Sequence, residues 1–221
     1  MSSVLLALDT CTRRASIAVR DDTTLRSECT WECERQETAL VSARIHDLMH
    51  TSHIQARDLG AVAVAIGPGS FTGVRCGLAI GKGLAVARGI PMIGVTAFDV
   101  IAHAQPRPAH TMPMLALLEA GRGRVAACRY EWNNSDGSPS VASDWWTQSW
   151  QELFDGLEGP MYVCGDIAPG LAALIKDKVT LASAPLSLRR AGFLAELAFV
   201  RWQRGETDDT MSLSAIYPAS A

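Results

Sequence analysis

A glycine-rich turn between a strand and a helix constrains this chain more than any other feature. The segment GPGSFTGVR occupies residues 67–75, after a short apolar run and before a long helical pattern. Gly67 and Gly69 permit backbone angles that other residues avoid, and Ser70 or Thr72 is suited to cap the helix. Such a turn leaves N–H groups unpaired where the helix dipole favours an anion. Two interpretations stay open: a site for a phosphate or a partner's acidic group, and a tight connection without a ligand.

The bulk composition favours a globular protein and argues against one that grips nucleic acid by itself. The chain has 221 residues, of which 48% are hydrophobic and 19% are charged. These values predict one or two folded units rather than disorder. The formal net charge is −3, which disfavours RNA binding driven by counterion release. If the chain acts on RNA, we expect a partner to supply most of the phosphate contacts.

The cysteines and the hydropathy predict a cytoplasmic protein. There are six cysteines and no C-x-x-C pair, a usage typical of reduced thiols inside the cell. The apolar run at the start of the chain is too short for a signal peptide, and no stretch approaches the roughly 20 apolar residues of a membrane span. Cys29 and Cys33 would need further ligands at suitable spacing to bind zinc.

The strand and helix patterns predict an α/β protein with two lobes. Three short strands within residues 4–31 form an antiparallel meander, and helices then alternate with strands over 38–104. A proline-containing segment (105–110) marks a boundary. The predicted domains are therefore 1–105, which holds the glycine turn and two interface helices, and 106–221, a smaller α/β lobe. Each lobe is expected to hold a mixed sheet flanked by helices. This layout resembles that of the actin-like ATPase superfamily, which has a ribonuclease H-like fold.

The first hairpin turn is a second candidate for phosphate contact. It carries a carboxylate and two hydroxyls at the place where actin-like ATPases bind phosphate and magnesium. Phosphate loops of that kind usually carry glycine, which this turn lacks, and Asp and Thr are also ordinary turn residues. The two turns together form a weak candidate nucleotide site, whose residues are Asp9, Thr10, Thr12, Gly67, Gly69 and Ser70.

Small residues recur every four positions along the second long helix (72–88). Each glycine inside a helix costs about 1 kcal/mol relative to alanine, so a close approach of another backbone should offset the cost. That backbone could belong to the chain's own sheet or to a partner's helix, and we favour the partner. Together with the apolar side of the preceding helix (38–53), the predicted partner interface comprises Val41, Ile45, Met49, Gly73, Gly77, Gly81 and Ala85.

Two further motifs resemble known sites without matching them. Gly81 and Lys82 look like the end of a Walker phosphate loop, but the motif's first glycine and its final Ser/Thr are replaced. His46 and His50 have the helical spacing of zinc ligands but lack a clear third ligand. With His53, they are better explained as part of a solvated or interface surface. We predict no catalytic residue and no metal ligand.

The chain resembles the TsaB (YeaZ) family of the actin-like ATPase superfamily. The resemblance rests on the segment VLLALDTCT (4–12) and on the glycine-turn segment. It is weaker in the second half, where EAGRGRV (119–125) stands for the family's D-A-R-x-G-E-V and AIYP (215–218) for its P-x-Y-L-R. The related enzyme TsaD, which attaches threonylcarbamoyl to an adenosine of certain tRNAs, holds its metal through H-x-x-x-H. The corresponding residues here are Ala97 and Ile101.

The resemblance implies a non-catalytic scaffold that binds a TsaD-like catalytic subunit through its first two long helices. A TsaE-like ATPase is a further candidate partner, and tRNA would be contacted only through the complex. Alone, the chain would form a homodimer. No tightly bound cofactor is expected, and ATP or ADP would bind only at the complex interface. The alternative is an enzyme in its own right, either an actin-like-fold ATPase or kinase or an M22-type metallopeptidase.

Overall fold

Two compact units make up the described part of the chain. The computed structural model describes residues 4–33, 38–106, 112–167, 169–175 and 178–217. The first unit contains the residues up to Val100 together with Arg190–Tyr217, and the second contains Ile101–Arg189. This division differs from the predicted one, which placed every residue after position 105 in the second lobe.

A mixed five-stranded sheet forms the centre of the first unit. Its strands are β1 (Val4–Asp9), β2 (Arg14–Arg20), β3 (Leu25–Glu32), β4 (Leu59–Ala65) and β5 (Met92–Val95). Their order is β3-β2-β1-β4-β5, with the first three antiparallel and with β1, β4 and β5 parallel. Successive residues of a strand point to opposite faces, and nearly every residue of β1 and β4 is buried. Both faces of the central strands are therefore covered.

Three helices follow these strands in the first half of the chain. They are α1 (Thr38–Thr51), α2 (Phe71–Arg88) and α3 (Ala97–His103). The Ser70 side chain accepts a hydrogen bond from the Gly73 N–H at 3.4 Å, and α2 ends at Gly89 in the left-handed conformation with φ 64°. Ser70 is thus the N-cap, one of the two candidates that the sequence suggested. α1 packs on β2 and β3, and α2 packs on β4 and β1.

The second unit contains its own mixed sheet. Its strands are β6 (Met114–Glu119), β7 (Arg124–Trp132), β8 (Pro139–Val141), β9 (Trp146–Ser149), β10 (Tyr162–Gly165) and β11 (Thr180–Leu181). The order is β11-β10-β6-β7-β8, and β9 also pairs with β7. Helices α4 (Trp150–Asp155) and α5 (Pro169–Ile175) accompany it. Its core is built around Leu117, Val163 and Leu153, with Trp146 and Trp150 packed against it. The predicted pair of mixed sheets with flanking helices is confirmed.

The last helix, α6 (Ala191–Gln203), belongs to the first unit. The Ala191 N–H donates to the Ser16 hydroxyl at 2.8 Å, and the Gly192 N–H donates to the Glu28 carboxylate at 2.8 Å. Strands β2 and β3 thus supply acceptors for N–H groups that the first turn of a helix leaves unpaired. The apolar pattern of α6 predicts a buried helix, but it does not indicate which sheet the helix covers. For this reason the sequence prediction placed α6 in the second lobe.

The segment after α6 lies along β5, at the edge of the first sheet. The Asp208 N–H donates to the Met92 carbonyl at 2.9 Å, and the Asp208 carboxylate accepts from the Gly94 N–H at 2.7 Å. Further along, the Ile216 N–H donates to the Ile66 carbonyl at 2.9 Å. These contacts cover an edge that would otherwise expose unpaired backbone groups. They also bring Tyr217 to the start of α2.

Candidate functional site

The first hairpin turn lies at the end of β1 and is largely buried. Asp9 has no exposed surface, and its carboxylate accepts a hydrogen bond from the Cys11 N–H at 2.9 Å. The Thr10 hydroxyl donates to the Gly73 carbonyl at 2.7 Å, which ties the turn to α2. Thr12 is half-exposed, and its hydroxyl accepts from the Arg14 N–H at 3.5 Å. In this structure, therefore, Asp9 forms a hydrogen bond within the turn, and Thr10 joins the turn to α2.

The structure brings the glycine turn against this hairpin. The Ser70 N–H donates to the Cys11 carbonyl at 2.6 Å. A Cβ atom at Gly69 would overlap the same carbonyl, and one at Gly67, where φ is 98°, would lie 2.8 Å from the Ile216 carbonyl oxygen. The close approach explains both glycines. It also means that the Ser70 N–H is already paired, so an anion could reach it only by displacing the hairpin turn. Phosphate contact at these six residues stays a prediction.

The row of small residues on α2 faces the chain's own sheet and not a partner. A Cβ at Gly73 would overlap the Thr10 carbonyl oxygen, one at Gly77 would lie 2.5 Å from the Thr10 hydroxyl oxygen, and one at Gly81 would lie 2.6 Å from a Val64 methyl carbon. Ala85 is buried on the same side. These four residues are therefore corrected from partner contacts to internal packing positions. The cost of glycine in the helix is offset within the chain.

The apolar residues of α1 that the sequence predicts as interface contacts are also internal. Val41, Ile45 and Met49 are all buried in the described structure, on a helix that packs against β2 and β3. The helical period correctly identified one side of α1, but that side covers the sheet. A partner that approaches α1 would meet its other side, which carries residues such as Arg44 and Asp47.

The exposed side of α2 lies opposite the small-residue row, and the sequence prediction missed it. Ala79, Gly83 and Val86 recur at intervals of three and four residues, so they share one side of the helix. Val86 is 64% exposed, and a Cβ built on Gly83 meets no atom within 4 Å. Gly83 is therefore a helix-interior glycine that internal packing does not explain. Its spacing from the other glycines, which is not a multiple of four, was the available signal.

A cluster of two aromatic rings and an arginine lies at the start of the same helix. Phe71 is 56% exposed, and the Arg75 guanidinium carbon lies 3.6 Å from the centroid of its ring. The ring of Tyr217 is 5.3 Å from that of Phe71, and its hydroxyl donates to the Phe71 carbonyl at 3.4 Å. Phe71 and Arg75 belong to the glycine-turn segment, whereas Tyr217 reaches them only through the fold.

The histidine motif on α1 lies on an exposed surface. The rings of His46 and His50 are stacked with their centroids 6.2 Å apart, and the His46 imidazole is 3.5 Å from the Asp47 carboxylate. Within the described ranges, no three His, Cys, Asp or Glu side chains lie together in a way that could hold a metal ion. Ala97 and Ile101, at the positions that correspond to the TsaD metal ligands, are buried apolar residues of α3.

The half-buried thiol of Cys76 on α2 has low nucleophilic reactivity. Burial, followed by the proximity of Cys33, raises the pKa of the Cys76 thiol above its ordinary value. Since the thiolate is the nucleophilic form, Cys76 is less reactive than a free cysteine at neutral pH.

In the second unit, burial raises the pKa of Tyr162 to about 12, and its hydroxyl donates to the Gln105 amide oxygen at 2.9 Å.

Comparison with solved structures shows that the chain has the actin-like ATPase fold. The structure aligns over 90% of the chain, with a TM-score of 0.50 and 8% identity, to a Bacteroides thetaiotaomicron protein described as having an actin-like ATPase fold and unknown function, 96% of which is covered. YeaZ from Pseudomonas aeruginosa aligns with a TM-score of 0.80 and 23% identity over 97% of this chain and 99% of that one. The predicted actin-like fold is confirmed.

The sequence comparisons identify the family. A family model described as TsaD, tRNA N6-adenosine threonylcarbamoyltransferase, matches residues 32–144, just over half of the chain, and the chain therefore belongs to this family. A curated relative, the tRNA threonylcarbamoyladenosine biosynthesis protein TsaB of Escherichia coli, is 35% identical over 127 residues, which are 58% of this chain and 54% of the relative. The resemblance to TsaB (YeaZ) is confirmed.

The curated matches are partial in length. The aligned region covers 54% to 64% of the length of three curated TsaB relatives. Among the described residues, no helix is both long and apolar enough to cross a membrane.

Proposed function

We propose that the chain is a non-catalytic accessory subunit in the formation of threonylcarbamoyladenosine in tRNA, and that it binds a TsaD-like enzyme in the cytoplasm. The family match and the names of the curated relatives support the pathway. Ala97 and Ile101 carry the non-catalytic part of the proposal, because neither side chain has an atom that can bind a metal. Contact with tRNA and with a TsaE-like ATPase would take place within the complex.

The exposed side of α2 is the surface that we propose for docking. The helix-interior glycines Gly77 and Gly81 are explained by the sheet beneath them, whereas Gly83 faces open space. A helix-interior glycine costs about 1 kcal/mol relative to alanine, and close approach of a partner's backbone would offset that cost. Ala79 beside it and the exposed Val86 add apolar contact area. A second copy of the chain would use the same surface when no partner is present.

The docking surface is tested by a pair of substitutions at one position. Gly83→Leu places a bulky side chain on the docking surface but in open space, so the chain stays folded. Its complex with the TsaD-like protein of the same cell should no longer form, and light scattering should show only the masses of the separate proteins. Gly83→Ala should retain most of the affinity. Gln203→Leu, at an exposed position of α6, is the matched control and should bind like the wild type. Equal affinities for all four proteins would refute the assignment.

The function itself is tested in cells. Depletion of the chain should lower the threonylcarbamoyladenosine content of tRNA, measured by mass spectrometry of nucleosides. Wild type and Gln203→Leu should restore the content, whereas Gly83→Leu should not. An unchanged content after depletion would contradict the proposal.

The enzyme alternative is separated by calorimetry with ATP and magnesium on the isolated chain. We propose that no nucleotide binds tightly, because the Cys11 carbonyl already accepts the Ser70 N–H and Asp9 is fully buried. Weak ATP or ADP contact would be restricted to the complex. Tight binding with turnover would favour an ATPase or kinase, and hydrolysis of a peptide substrate would favour the metallopeptidase.

A further inference from the structure

We propose that Arg75, held against Phe71 and beside Tyr217, is an anchor that binds a carboxylate on the docking partner. The inference rests on the proposed function for the existence of the complex, and it adds the chemistry by which the partner is recognised. The partner's docking helix would present an Asp or Glu side chain to the start of α2.

The cluster prepares the guanidinium for such a contact. The Arg75 guanidinium carbon lies 3.6 Å from the Phe71 ring centroid and 6.0 Å from that of Tyr217. Stacking occupies a flat face of the guanidinium and leaves the N–H donors at its edge available. The hydrogen bond from the Tyr217 hydroxyl to the Phe71 carbonyl ties the second ring to the helix. Less side-chain entropy is therefore lost when a ligand binds.

Arg75 also differs from the other basic residues of α2 in having no polar partner. Lys82 donates to the Met211 carbonyl at 2.9 Å, and Arg88 donates to the Arg57 carbonyl at 2.9 Å. Across the described part of the chain, Arg75 makes only its ring contacts. An exposed arginine that lies over one aromatic ring and close to a second has the composition of an interface hot spot.

The charge of the helix indicates what the partner carries. α2 contains Arg75, Lys82 and Arg88 but no acidic residue, although the chain as a whole has a net charge of −3. Two copies that met through α2 would bring like charges together and would therefore pair less tightly than the chain pairs with an acidic helix, which would be attracted. A single arginine with free donors suits one bidentate carboxylate. Lys82 and Arg88 already donate to backbone carbonyls, whereas nucleic acid would need several available cations in a row, so we favour a protein carboxylate.

The experiment measures the affinity of the TsaD-like protein for variants of the full chain by calorimetry. Arg75→Ala should weaken binding by about 10- to 100-fold, the range of a hot-spot residue. Arg75→Lys should restore little of the loss, because an ammonium cannot bind in the same bidentate geometry. Phe71→Leu should weaken binding less than Arg75→Ala. Arg204→Ala, at an exposed position just after α6, is the control and should change the affinity less than about twofold.

Salt and self-association give independent readouts. Raising the ionic strength should weaken the wild-type complex more than the Arg75→Ala complex, since the variant has lost the charge pair. Arg75→Ala should not weaken any homodimer, because two copies would not supply the carboxylate. A homodimer that weakens as much as the heterocomplex would overturn the proposal.

The outcomes separate this inference from the function on which it rests. If Gly83→Leu abolishes the complex and Arg75→Ala leaves its affinity unchanged, the docking surface is right and the anchor is wrong. If no complex forms with the wild type, the proposed function fails first. If Arg75→Ala instead lowers the affinity of the isolated chain for tRNA and spares the protein partner, the carboxylate assignment is overturned.

Discussion

Alanine substitutions at two glycines of α2 should change stability in opposite directions. Gly73→Ala places a Cβ where the Thr10 carbonyl oxygen lies, whereas Gly83→Ala places it in open space. Both variants gain helix propensity of about 1 kcal/mol. Only Gly73→Ala must also move the hairpin turn, because a backbone atom cannot rotate out of the way as a side chain can.

The cost of Gly73→Ala follows from the contacts that such a movement breaks. The hydrogen bonds from Thr10 to the Gly73 carbonyl (2.7 Å) and from the Ser70 N–H to the Cys11 carbonyl (2.6 Å) would both be strained or lost. Each contributes about 1 kcal/mol, and overpacking typically costs a further 1–3 kcal/mol, roughly. With both bonds lost, and after the gain in propensity, we expect Gly73→Ala to be destabilised by about 2–4 kcal/mol. Gly83→Ala should be stabilised by about 1 kcal/mol.

The measurement is urea unfolding followed by circular dichroism, with the wild type and both variants in the same buffer. Since the two substitutions are chemically identical and lie on one helix, each serves as the control for the other. A Gly73→Ala protein as stable as the Gly83→Ala protein would refute the close approach of hairpin and helix. It would also reopen the assignment of the small-residue row to a partner.

Three further predictions concern single side chains of the first unit. Ser70→Ala removes the N-cap of α2 and should lower the stability by about 1 kcal/mol, whereas Ser70→Gly should lower it by only roughly a few tenths of a kcal/mol. Thermal unfolding of both variants measures the two losses. Equal losses would contradict the capping role. The Thr23 hydroxyl, Arg26 and backbone N–H groups hold the pKa of Asp21 well below its ordinary value. The stability that Asp21 contributes is therefore present at neutral pH and lost as the pH falls below about 4. In a plot of melting temperature against pH, Asp21→Asn should reduce the fall on the acid side. A plot identical to that of the wild type would contradict the role given to Asp21. Asp208→Ala removes the hydrogen bond from the Gly94 N–H and the ion pair with Arg201. Limited proteolysis should therefore cleave the segment after α6 faster than in the wild type. Asp209→Ala is the control, because the side-chain hydrogen bond that it loses, from the Ser212 N–H, is local.

Local chemistry explains which parts of the fold were predictable. A glycine turn after an apolar run predicted a strand, a cap and a helix, and the structure confirms β4, Ser70 and α2. These features depend on residues that are close in sequence and on backbone angles that few residue types adopt. The three-stranded meander was predictable for the same reason, since β1, β2 and β3 are consecutive and antiparallel.

Predicting the interface required knowledge that the periodicity does not contain. A row of small or apolar residues identifies a side of a helix but not the surface that it meets. Val41 and Gly77 were assigned to a partner, and the structure places both against the chain's own sheet. The exposed side was recognisable only after the buried side had been assigned. Gly83, which the helical pattern groups with no other glycine, then became informative.

The sequence by itself determined the α/β class, the two lobes, the capped helix after the glycine turn and the family resemblance, because each depends on short segments and their order. Only the tertiary structure decided that α6 returns to the first sheet, that the small residues of α2 accommodate the first hairpin, and that Tyr217 joins Phe71 and Arg75. These contacts join residues far apart in the chain. Their partners are chosen by which surfaces remain uncovered once the sheets have formed, and no local pattern records that choice.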